Sequence, residues 1–139
     1  MTLRFHLDTN IVSSPIAKEP NRKVTRRLTD HSIHCAIAAP VWHELTYGCE
    51  RLPEGKRRTA VDEYLRTVVR ASFPILPYDE PSALWHGKER ARLEKAGKSA
   101  PFVDGQVAAI AKRHDLTLVT ANPKHFALFH GLTVVDWTS

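Results

Sequence analysis

The stretch FVDGQVAAIAKRHDLTLVTANP, residues 102–123, decides how this chain is read. Its first half has a helical period. Val107, Ile110, Ala111 and His114 fall on one face, with Asp104 opening the helix in a capping position. Its second half changes period. Leu116 to Thr120 is a short apolar run that reads as a buried strand, and Asn122 and Pro123 break it before a short helical turn over 124–129. A helix feeding a short buried strand is the repeating piece of a parallel sheet.

Upstream the alternation recurs. Leu3, Phe5 and Leu7 alternate up to Asp8, a first strand. Residues 21–30 form a basic helix. Cys35-Ala36-Ile37-Ala38 reads as a buried second strand ended by Pro40. Residues 41–52 are helical, with Val41, Leu45, Gly48 and Leu52 on one narrow arc. Val61, Tyr64, Leu65, Val68 and Val69 make an amphipathic stripe on a helix over 56–71. Residues 73–78 are extended, Asp79 caps a helix that stops at Gly97, residues 98–101 are a loop, and residues 132–135 are a last strand. The fold class expected is α/β, one domain over residues 1–139 with a mostly parallel central sheet.

The chain has 139 residues, which suits one domain. Its hydrophobic fraction of 42% argues against disorder, yet no apolar run approaches the ~20 residues of a membrane helix. The N-terminus lacks a signal-peptide pattern. Two cysteines, Cys35 and Cys49, are too few to staple a secreted mini-fold and are expected as inert thiols in a reducing cytoplasm. The net charge of +5 favours polyanionic partners, nucleic acid among them. Arg22-Lys23, Arg26-Arg27 and Lys56-Arg57-Arg58 either hold phosphates or are solvated helix faces.

Ligands of open α/β sheets bind beyond the carboxyl ends of the strands. Asp8 follows the first strand directly, and Asn122 follows the strand ending at Thr120. Asp104 starts a helix. Glu44 lies in the early turns of the helix after the second strand, about 60° to one side of Val41 at the rim of its buried face. Asp8, Asn10 and Asp104 also fit the ordinary duty of helix caps, and Glu44 that of a solvated helix residue. Three converging carboxylates, however, repel one another unless a cation sits between them. Oxygen ligands of that kind suit Mg²⁺ or Mn²⁺, which can activate a water against a phosphodiester.

LDTN (Leu7 to Asn10), WHELTYG (Trp42 to Gly48), FVDGQVAAIA (Phe102 to Ala111) and LVTANPKHF (Leu118 to Phe126), followed by VVDW (Val134 to Trp137), occur in the order of a PIN domain. The chain resembles that family over nearly its whole length, and most of all the VapC-type toxins of bacterial type II toxin–antitoxin systems. The resemblance implies a three-layer α/β/α sandwich and a metal-dependent endoribonuclease neutralised by a VapB-like antitoxin, cytoplasmic and homodimeric. By the same match Asp8, Glu44 and Asp104 are the catalytic, metal-ligating acids, binding Mg²⁺ (or Mn²⁺) directly or through water. Asn10, Thr120 and Asn122 are supporting residues. His125 stands where many members carry another acid, which leaves a second metal in question; it either contacts RNA phosphate or is an exposed loop histidine.

The alternative is a PIN-fold protein that binds RNA or antitoxin without turnover. A phosphoacceptor or phosphatase on a doubly wound sheet fits less well. Asp8 stands alone after the first strand, and Asn10 occupies the place where such a phosphatase needs a second aspartate.

Overall fold

The computed structural model describes residues 2–139; Met1, first residue of the expected domain, lies outside them. Five parallel strands form the sheet: β1 (Phe5–Leu7), β2 (Cys35–Ala38), β3 (Ile75–Leu76), β4 (Thr117–Val119) and β5 (Val134–Val135). Their order is β3-β2-β1-β4-β5. The chain therefore builds outward from β1 to β3, then crosses to the other side of β1 for β4 and β5. The carboxyl ends of β1 and β4 flank the point where the direction reverses, the crevice that open α/β sheets use for ligands.

Helices cover both faces. On β1, Phe5 packs against His31, at the end of α2 (Arg22–His31), and against Trp137, with ring centroids 5.2 and 5.1 Å away. His6 points to the opposite face and is fully buried. The charge of His114, which ends α7 (Phe102–Arg113), is felt there. Two helix layers around one sheet make the expected α/β/α sandwich. Leu7, Ile37, Leu118 and Val119 from the strands and Val107 and Ile110 from α7 lie in its core. Among the described residues, no helix is long and apolar enough to cross a membrane.

Several boundaries follow local chemistry. Asn21 caps α2 by accepting from the Val24 N–H, and Asp79 caps α6 (Glu80–Lys95) by accepting from the N–H and hydroxyl of Ser82. Gly97, at φ 72°, turns the chain after α6 in the left-handed region where glycine carries no penalty. Cys35 and Cys49 are buried free thiols, and burial pushes Cys35 up to about 12.

Four expectations need correction. Pro40 does not merely end β2; it stands in the first turn of α3 (Ala39–Glu50), where a missing N–H costs nothing. Asp104 is not an N-cap. Pro101 holds that position, and Asp104 sits inside the first turn of α7. The stripe over 56–71 loses Val68. Helix α4 (Lys56–Tyr64) passes into a π-helical segment (Leu65–Val69) before α5 (Arg70–Ser72). Its wider turn keeps Val61, Leu65 and Val69 buried while Val68 is 43% exposed. Residues 73–78 shrink to a two-residue strand, because Pro74 and Pro77 on either side have no N–H to give a ladder.

Candidate active site

The site grows from the carboxyl end of β1. Asp8 ends the strand and caps α1 (Thr9–Val12), its Oδ1 accepting from the Thr9 N–H at 2.9 Å. Its capping duty is thus real, but it occupies one oxygen only. The other, Oδ2, accepts from the hydroxyl of buried Thr120 at 2.8 Å, just beyond β4. The Thr120 hydroxyl oxygen in turn accepts from the Asn122 N–H at 3.1 Å. Asn10 caps nothing. Its amide oxygen accepts from the Ala121 N–H at 3.1 Å and ties α1 to the loop after β4.

Asp104 comes to the same place from α7, which runs back from the carboxyl edge of the sheet to the start of β4. Burial first, and the charge of Asp8 second, push its carboxyl above the ordinary aspartate range; His125 acts in the opposite direction. Asp8, Asp104 and His125 therefore share one electrostatic neighbourhood. Asn122 and His125 are exposed around the short 3₁₀ turn Pro123–Phe126.

Glu44 stands apart. It is exposed on the second turn of α3. It lines two adjoining depressions, one shared with Thr9 of α1 and one shared with Val103 and Gln106 of α7. Glu44 thus neighbours residues that flank Asp8 and Asp104 in sequence, while neither acid lines either depression. Among the described residues, no three His, Cys, Asp or Glu side chains gather into a metal-holding group. The donor chemistry still suits a hard cation. Two adjacent carboxylates repel each other, and none of Asp8, Glu44 and Asp104 has an ion-pair partner among the described residues.

One supporting feature escaped the sequence reading. A Cβ on Gly105 would stand 2.1 Å from Nε2 of His86, a ring fixed by the Tyr78 hydroxyl at 2.8 Å from its Nδ1. Gly105 lets α6 and α7 approach closely beside Asp104. The hint was a glycine in the first turns of a helix, where it is costly unless something needs the space. His6, two residues before Asp8, is fully buried. Neither ring nitrogen has a hydrogen-bond partner, and burial, assisted by the charge of His114, pushes it down to about 3.

The PIN domain model matches residues 6–129. The chain belongs to the PIN domain family. Toxin FitB of Neisseria gonorrhoeae is 33% identical over 123 residues, covering 86% of this chain and 88% of that protein. The tRNA(fMet)-specific endonuclease VapC of Shigella flexneri is 31% identical over 136 residues, covering 98% and 99%. The crystal structure of DNA-bound VapBC from Salmonella typhimurium superposes with a TM-score of 0.82 at 28% identity, covering 97% of this chain and 98% of that one. Within this PIN domain, the crevice between β1 and β4 carries the first, third and fourth of the motifs seen in the sequence.

Proposed function

We propose that this PIN domain, acting as one unit over residues 1–139, is a Mg²⁺- or Mn²⁺-dependent endoribonuclease. We propose further that it is the toxin of a type II toxin–antitoxin pair, neutralised by a VapB-like antitoxin and self-associating as a homodimer. Its relatives named as VapC endonuclease and toxin FitB support that reading. The observation that carries it is that Asp8 and Asp104 come near enough at the crevice for the charge of one to be felt by the other, with no ion-pair partner among the described residues, which leaves an acidic notch in a chain of net charge +5. Two buried, unpaired thiols fit a cytoplasmic site of action.

Asp8 and Asp104 would hold the ion, with Glu44 joining directly or through water. When bound, the ion supplies an activated water and charge stabilisation for the leaving oxygen. The chain's own residues do the rest. Thr120 fixes the Asp8 carboxylate and Asn10 fixes the loop after β4. Asn122 and His125, both exposed, would meet the phosphodiester. Lys124 adds positive charge there, and Arg57, at the rim of the depression shared by Glu44 and Thr9, adds it on the other side.

The test is cleavage of a single-stranded RNA by the purified chain with Mg²⁺, with Mn²⁺ and with EDTA. Cleavage should need the metal and vanish in Asp8→Asn and Asp104→Asn while both variants stay folded. One observation, the exposed and separate stance of Glu44, favours the binding-only alternative. Metal-independent cutting, or RNA and antitoxin binding without turnover at any Mg²⁺ or Mn²⁺ concentration, would overturn the nuclease reading.

A further inference from the structure

A depression lies between the helix that carries Glu44 and the helix that carries Asp104. Its volume is about 290 Å³, and its lining includes Pro40, His43, Glu44, Tyr78, Val103 and Gln106. That is the small end of ligand pockets, which run from ~300 to ~1,000 Å³, and it suits one flat ring system rather than a folded molecule. Pro40 and Val103 supply apolar wall. Val103 is 41% exposed and its neighbour Phe102 52%, so the start of α7 offers apolar surface beside the depression. The Tyr78 hydroxyl is already engaged by His86. Gln106 is half-buried, and none of the side-chain hydrogen bonds among the described residues uses its amide. It has two donors and an acceptor to offer. Gln106 stands one turn from Val103 on α7, and Glu44, one of the acids assigned to the ion, lines the same depression, so a group held there lies beside it.

We infer that this depression is a nucleobase subsite: one unpaired base flanking the cut phosphodiester lies against Pro40 and Val103, and Gln106 reads its edge. The inference rests on the ribonuclease reading and adds the source of its sequence preference. Single-stranded RNA is recognised in this manner, with splayed bases packed on side chains and hydrogen-bonded along their edges. A glutamine amide facing a base edge distinguishes bases by donor and acceptor pattern. His43 sits at the depression and makes an edge-on contact to Tyr47, 6.4 Å between ring centroids.

The experiment uses a pool of single-stranded RNA with a randomised centre. The pool is cut by the full chain with Mg²⁺, and the new ends are sequenced. Wild type should favour particular bases at one position beside the cut. Gln106→Ala should flatten that preference roughly tenfold, and Gln106→Glu should move it toward bases that present donors. Val103→Trp, which fills the depression, should slow cutting of every sequence. Melting temperature and Mn²⁺ affinity, measured by calorimetry, should stay at wild-type values in Gln106→Ala. An unchanged end profile in both Gln106 variants, or a wild type that cuts without preference, overturns the inference while leaving the nuclease intact. So does a Val103→Trp variant that cuts normally but changes the oligomeric state by light scattering, since that marks the depression as a self-association face. A wild type that makes no metal-dependent cut removes the nuclease reading, and this subsite with it.

Discussion

The hydroxyl of Thr120 donates to Asp8 Oδ2 at 2.8 Å across 112 residues of chain. This bond joins the ends of β1 and β4 at the point where the strand order reverses. It fixes which way the carboxylate faces, because the other oxygen is tied to the Thr9 N–H. Thr120→Val removes it and leaves the Asn122 N–H without its acceptor. We expect a loss of about 1.5–3 kcal/mol in urea unfolding, the usual worth of a hydrogen bond to a charged group, and a larger fall in kcat than in KM. Thr120→Ser should restore most of both.

Much of this arrangement was legible in the sequence, for identifiable reasons. Cys35–Ala38 is a continuous apolar run buried on both faces of a parallel sheet, and that run alone marks the bounds of β2. The Asp79 cap and the stop at Gly97 are local chemistry. The local period alone puts Asp8 after the first strand and Asp104 at the opening of a helix, and the charge of Asp8 is felt at Asp104. Long-range packing was not legible. The π-helical turn that expels Val68 depends on what α4 packs against. Asp104 lost its capping role because Pro101 pre-sets the first turn. Glu44 sits at the rim where helical geometry put it, but its exposure depends on neighbours that no local pattern encodes.

Gly105 gives a steric test. Gly105→Ala would press a methyl into the His86 ring, and the Tyr78 hydroxyl restrains that ring from moving. Overpacking of this kind costs about 1–3 kcal/mol. In a double-mutant cycle, Gly105→Ala combined with His86→Ala should cost clearly less than the two singles added. Additive costs would mean that the ring and the glycine do not compete for the space.

Acid stability should report on Glu89. This nearly buried residue of α6 accepts from the Arg92 guanidinium, one contact being 3.0 Å, and from the His130 N–H at 2.6 Å, which pins the loop before β5. The Arg92 hydrogen bond, chiefly, holds its carboxyl below the ordinary glutamate value of 4.5. A carboxyl lowered in the folded state stabilises fully above the unfolded value, and that contribution is lost as pH falls from there through the folded one. Glu89→Gln should therefore lower the urea midpoint at pH 7 and flatten its decline below about pH 4.5. A variant with the wild-type acid profile would place the acid sensitivity elsewhere.

Divalent cation should stabilise the fold by mass action, about 2.7 kcal/mol at a hundredfold excess over Kd. Thermal unfolding with Mg²⁺, with Mn²⁺ and with EDTA measures this. Without metal, Asp104→Asn should be at least as stable as wild type, because it relieves repulsion from Asp8 and the cost of burying a charge. With metal, the variant should lose most of the shift.

The central claim is that Asp8, Glu44 and Asp104, drawn from three separated stretches of chain, hold one divalent ion. Titration of Mn²⁺ followed by electron paramagnetic resonance, on wild type and on Asp8→Asn, Glu44→Gln and Asp104→Asn, tests it most directly. One bound Mn²⁺ per chain is expected, with affinity falling at least about tenfold in each variant, the usual lower effect of disturbing a metal site. No saturable Mn²⁺ binding by the wild type, or binding that all three variants retain, would contradict it.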